Sequence, residues 1–184
     1  MRVVPRRLAA SAPLVAGVCW LTYGLIVRQF SPIYYQPTLP IDYLAIAMFS
    51  GGLLLLALAV AGIHARQAAD AEWDERLGFW VACIGAVMAG IGDFGEDWLQ
   101  IAALGNLLYF PGMLLLLAGL ALFGIGTMRA RVLPLWCGTV LLLSPLVAAP
   151  LGGLFNKWGG TLLFGCIWIL VGLVLWFDLS DRRS

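Results

Sequence analysis

One stretch limits the fold more than any other. Leu77 to Met128 runs for 52 residues with no ionised side chain except Asp93, Glu96 and Asp97 near its middle. It is bounded by Arg76 and Arg129. A helix rises about 1.5 Å per residue and needs about 20 residues to cross a hydrocarbon core of about 30 Å. The stretch is too long for one crossing and sufficient for two, with the reversal at the three carboxylates.

Apolar runs of similar length recur along the chain. Of 184 residues, 62% are hydrophobic and 11% charged, against about 25% charged in an ordinary soluble domain. Mean hydropathy is +0.94. The sequence therefore reads as an integral membrane protein, all-α, with six transmembrane helices in one domain over residues 1–184. The expected spans are Leu8–Val27, Ile41–Ile63, Leu77–Trp98, Leu104–Ile125, Val132–Leu151 and Trp158–Phe177. The basic, apolar N-terminus resembles a signal peptide, but its apolar part runs on without a cleavage site. It is read as an uncleaved first span.

Charge asymmetry gives the expected orientation independently of hydropathy. With the N-terminus in the cytoplasm, Arg2, Arg6, Arg7, Arg66, Arg76, Arg129, Arg131, Arg182 and Arg183 fall inside, and only Arg28 and Lys157 fall outside. Nine against two places both termini in the cytoplasm. Trp80, Trp98, Trp136, Trp158 and Trp176 lie near span ends, where an indole keeps its ring apolar and its N–H near water. Trp20 and Trp168 lie deeper and are expected to face other helices. The connection from Arg28 to Pro40 is expected to be an ordered, extended cap. The one from His64 to Arg76 is read as a mixed-charge inner loop able to form a helical turn.

Small residues predict how the spans pack. Gly105, Gly112, Gly119 and Gly126 recur every seven residues in the fourth span, and Gly78, Ala82, Ala86 and Gly90 every four in the third. Such stripes let helices approach closely. Pro145 is expected to kink or interrupt the fifth span. The cysteines (Cys19, Cys83, Cys137, Cys166) all lie in apolar runs without a CxxC pair, as expected of packing residues.

The candidate site is acidic. Asp93, Glu96, Asp97 and Gln100 stand at i, i+3, i+4 and i+7, one polar stripe if the helix continues through them. Asn106 and Tyr109 follow closely and are positioned to add hydrogen bonds. Asp93 is the informative member, because charge within the hydrocarbon is expensive and usually faces a cavity or a partner. The group suits a proton or cation site, a hard-cation ligand set, or a socket for a basic residue of another subunit. A plainer alternative makes Glu96 and Asp97 solvated loop charges and pairs Asp93 with Arg28 or Lys157.

Several chemistries have no support. The single histidine, His64, cannot supply two axial haem ligands or a three-histidine zinc site. The sole lysine, Lys157, lies at a span end, unsuited to a mid-membrane Schiff base. There is no phosphate-binding glycine loop, GxSxG or HExxH, and Ser144 has no histidine on its side of the membrane to activate it. A net charge of +1 gives no reason to expect nucleic acid. No enzyme activity and no cofactor are expected. The expected partners are membrane lipids and other membrane subunits.

The run GNLLYFPGMLLLLAGLALFGIGTMRARVLPLWCG, Gly105 to Gly138, with its arginine-containing turn between glycine-rich spans, resembles a pattern in small multi-pass bacterial membrane proteins of unassigned function. The resemblance implies a bacterial cytoplasmic membrane and carries no activity or site. From the residues, the leading expectation is an accessory or scaffold subunit that uses its smooth helix faces and acidic patch. The alternative is a small proton- or cation-coupled transporter or channel-like protein that uses Asp93, Glu96 and Asp97.

Overall fold

A computed structural model describes residues 6–30, 37–148 and 159–181, and among them the chain is all-helical, without strands. The main helices are α1 (Arg6–Phe30), α2 (Pro40–Gln67), α3 (Trp73–Asp93), α4 (Phe110–Ala130), α5 (Leu135–Ala148) and α6 (Gly159–Asp181). Two π-helical turns, Phe94–Trp98 and Gly105–Tyr109, extend α3 and precede α4, with a short turn Ala102–Leu104 between them. Among the described residues five helices, counting these extensions, are long and apolar enough to cross a bilayer. The apolar part of α5, Leu135–Ser144, is shorter. Of the expected cap Arg28–Pro40, Arg28–Phe30 belong to α1 and residues 31–36 fall outside the described residues, as do Trp158, Lys157 and the far end of the fifth span.

The helices run past the expected spans where polar residues find partners. Pro40 opens α2, and the Asp42 carboxylate accepts the backbone N–H groups of Thr38 (3.0 Å) and Leu39 (2.9 Å) just before it. At its other end α2 continues to Gln67, and α3 begins already at Trp73. The inner loop expected from His64 to Arg76 is thus reduced to residues 68–72, and His64, Arg66, Gln67, Asp74 and Glu75 are helical. Alanine-rich sequence favours helix there, and the polar side chains bond to one another across the helices. Arg131 ends α4 in the left-handed conformation, with φ 52°, a common way to stop a helix.

α3 and α4 form an antiparallel pair of unusual closeness. A methyl group added to Gly78, Gly85 or Gly92 of α3 would collide with the backbone of Phe123, Leu116 or Tyr109 respectively. In return, one added to Gly112 or Gly119 of α4 would collide with the backbone of Ala89 or Ala82. Every one of these pairs is centred on the same point of the chain, between Gln100 and Ile101, so one register holds along the full length. Lipid provides no hydrophobic force between helices, and close van der Waals contact of this kind is what holds them together.

The seam differs from the four-residue stripe in one respect. Each four-residue step advances about 40° around a helix, so Gly78 and Gly90 stand about 120° apart. Gly90 consequently faces α2, against Leu54 and the Ser50 carbonyl, and Ala86 lies in the buried core. Gly85 and Gly92 complete the face toward α4. Gly112, Gly119 and Gly126 keep to one side because seven residues nearly complete two turns. α1 and α6 form a second antiparallel seam, with Gly17 against Gly165 and Ile169, and Gly172 against Leu14. Trp20 joins these helices to α2, its ring 4.8 Å from Phe49 and 5.1 Å from Phe164. Trp20 and Trp168 are buried, while Trp80, Trp136 and Trp176 face outward.

α5 continues through Pro145 to Ala148 without interruption. Proline has no N–H to give the carbonyl four residues back, which here is Leu141. The Ser144 hydroxyl donates to that oxygen instead, at 2.8 Å.

Candidate functional site

α2, α3 and α4 bury two polar groups, one toward each end of α3. The first is Asp93, the last residue of α3 before the chain widens into a π turn. That turn is defined by the Leu99 N–H donating to the Phe94 carbonyl at 3.2 Å. Asp93 is only 9% exposed and accepts a hydrogen bond from Ser50 Oγ at 2.5 Å. Ser50 stands nine residues, about 14 Å, along α2 from Ile41. The carboxylate is therefore well inside the apolar part of α2. Among the described residues no arginine, lysine or histidine forms an ion pair with it. The expected pairing with Arg28 is not what holds Asp93, and Lys157 lies outside the described residues.

The remaining members of the acidic group separate. Glu96 and Asp97 are half-buried in the π turn, and the Glu96 carboxylate fills the space left by the missing side chain of Gly105. Gln100 does not join the stripe. The helix ends before it, it takes a left-handed conformation with φ 60°, and its amide donates to the Asp97 carbonyl at 2.6 Å. The i+7 relation holds only on a continuous helix, and the π turn shifts the phase. Asn106 is exposed on the second π turn. Tyr109 is half-buried beside Gly92, with its ring 6.3 Å from Phe49. The structure thus brings Ser50, Asp93, Glu96 and Asp97 to one end of the three-helix unit and turns Gln100 and Asn106 away.

The second group lies eighteen residues earlier on α3, about 27 Å away along the helix. Glu75 is completely buried. Its two oxygens lie 2.9 and 3.0 Å from His64 Nδ1, and Gln67 Nε2 donates to it at 2.8 Å. The same Gln67 nitrogen donates to Thr127 Oγ1 at 3.0 Å, and Thr127 donates to the Phe123 carbonyl at 2.8 Å. Gly126 gives Glu75 room, since a side chain there would strike its Cβ. The His64 ring is stacked on Phe79, with centroids 4.1 Å apart. Beside this network Arg129 donates to Asp74 at 2.5 Å, and Arg66 donates to the Leu175 carbonyl at 2.6 Å.

Sequence reasoning missed this second group, because His64 and Glu75 read as loop and interface residues. A signal was present: HARQAADAEWDER places bases before a short turn and acids after it, the pattern of two antiparallel helices that pair across their ends. Thr127 had no distinguishing mark at all.

Chemically, each group is a buried carboxylate held by hydrogen-bonding side chains. Among the described residues no set of three or more His, Cys, Asp or Glu side chains is placed to hold a metal ion. The cysteines form no disulfide. No family model, curated protein or solved structure matches the chain.

Proposed function

We propose that this chain is a non-enzymatic, multi-pass protein of the bacterial cytoplasmic membrane that binds a proton or small cation at Asp93 and couples to its movement. One observation carries the reading. Asp93 is nine-tenths buried in the apolar part of a three-helix unit, with a serine hydroxyl and no cationic side chain among the described residues to balance its charge. A carboxylate in that setting is costly unless it takes up a proton or cation. Glu96 and Asp97 stand on the exit side of it, where they would concentrate cations.

The accessory-subunit reading drew on smooth helix faces offered to partners. The glycines of α3 and α4 are occupied by neighbouring helices of the same chain, so a partner would have to use the larger apolar side chains of the outer surface. This favours the ion-coupled reading. Six spans with both termini in the cytoplasm remain the proposed orientation, supported by the positive-inside count and by Arg66 and Arg129 reaching neighbouring helices at one end.

The test is reconstitution in liposomes under an imposed pH or cation gradient, read with an internal pH dye. Proton- or cation-linked flux that disappears in Asp93→Asn, while the variant still purifies and elutes as the native protein does, supports the proposal. Stoichiometric co-purification of other membrane proteins in mild detergent, without any flux by the chain alone, would return the accessory role to first place.

A further inference from the structure

We propose that His64 and Glu75 form a second proton-binding site, a relay in which the imidazole passes protons between water and a carboxylate that water does not reach. It does not depend on the role proposed for Asp93, which lies at the other end of α3.

Geometry defines the site. Glu75 has no exposed surface, and its side chain is held by His64, by Gln67 and by the space Gly126 leaves. His64 is 24% exposed. Nδ1 is engaged with both oxygens of Glu75, so Nε2 is the nitrogen left for exchange with water. Stacking on Phe79 fixes the ring plane and keeps Nδ1 directed at the carboxylate.

Charge accounting shows why the pair holds a proton. A fully buried carboxylate facing a neutral imidazole would be an uncompensated charge. With one proton added, the pair is either imidazolium–carboxylate or imidazole–carboxylic acid, and both are neutral as a unit. Uptake and transfer are two balanced steps. A proton from hydronium forms an N–H bond at Nε2 of the Nδ1–H imidazole and leaves water behind, giving imidazolium–carboxylate. The N–H bond at Nδ1 then breaks as an O–H bond forms on Glu75, giving imidazole–carboxylic acid. Return reverses each step.

The surrounding charges do not replace this proton. Asp74, on α3, is taken by Arg129 of α4, and Arg66, on α2, donates to the Leu175 backbone of α6. Arg76 is exposed. Gln67 and Thr127 are neutral. Gln67 is completely buried, and its Oε1 has no hydrogen-bond partner among the described residues. With Glu75 ionised, reversing the amide would set that oxygen against the carboxylate, so it is the amide nitrogen that faces Glu75 in that state.

His64 is the only histidine, so ¹⁵N-histidine labelling of the full chain in nanodiscs yields one imidazole. The expected result near neutral pH is a hydrogen-bonded, strongly deshielded Nδ1 proton that exchanges with water. Glu75→Gln should remove that signature, and Asp93→Asn should leave it intact. Infrared difference spectra across a pH step should show a carboxylic acid band that is lost in Glu75→Gln and displaced in His64→Gln. Should Glu75→Gln fail to fold, His64→Gln carries the infrared test alone. An imidazole that responds to pH in the same way in native protein and Glu75→Gln, or an infrared band indifferent to His64, overturns the proposal.

Discussion

Gly85 of α3 lies directly against the backbone nitrogen of Leu116 on α4, with no room for even a methyl group between them. The closeness is local to the seams. Gly51, on α2, has open space where its side chain would be, so the two glycines separate packing from composition.

Gly85→Ala should therefore destabilise the protein by about 1–3 kcal/mol, the usual cost of forcing atoms into a filled interface, and Gly85→Leu by more. Gly51→Ala should be neutral or slightly stabilising, since alanine favours helix. Thermal unfolding in detergent, followed by circular dichroism, checks both. Equal losses at the two sites would mean that the α3–α4 register is wrong.

Removing the hydroxyl from Ser50 leaves Asp93 with no donor among the described residues. Ser50→Ala should cost about 1–3 kcal/mol, the penalty for an unsatisfied buried acceptor, whereas Ser50→Thr keeps the donor and should cost less. Denaturation midpoints of the two variants, with Asp93→Asn as background, test whether the pair is coupled. In that background the Ser50→Ala penalty should shrink, because the charge it served has gone.

At the other end of α3 the two carboxylates are expected to differ in their response to salt. Arg129 is 55% exposed but the Asp74 it meets is buried. Arg129→Gln therefore leaves a buried carboxylate without its cation and should cost about 1–3 kcal/mol. High salt reduces that cost, because the arginine side is open to solvent. Glu75→Ala strands the buried amide of Gln67 as well as His64, and should cost about 1–3 kcal/mol with little dependence on salt. A salt titration of stability for both variants distinguishes the cases.

Ser144 and Pro145 should behave as a unit. Ser144→Ala removes the donor that serves the Leu141 carbonyl and should cost about 1 kcal/mol or more. With Pro145→Ala already in place, the restored backbone N–H can serve that carbonyl, and the same serine substitution should be close to neutral. A double-mutant cycle of unfolding free energies measures the difference.

Much of the architecture was legible in the residues. Long apolar runs imply helices of bilayer length because lipid offers no partner for a backbone N–H or C=O. The seven-residue glycine period of α4 indicated its close-packed face. The four-residue stripe of α3 was half right: its small residues were real, but a helix turning 100° per residue carries Gly90 around to α2 and brings Gly85 and Gly92 to α4. At the acidic cluster, spacing assumed a continuous helix. The π turn removed Gln100 from the stripe and left Asp93 alone in the interior.

Composition and order of residues by themselves determined that the chain is helical, suited to a membrane, and folded back on itself between Trp98 and Leu104, since those properties follow from length, hydropathy and local charge. Only the tertiary structure decided which polar side chains meet. Ser50 and Asp93 are 43 residues apart, and Gln67 and Thr127 are 60 apart. Their partnership is set by the rotation and register of packed helices, which depend on contacts between distant segments and leave no mark in the spacing along any one of them.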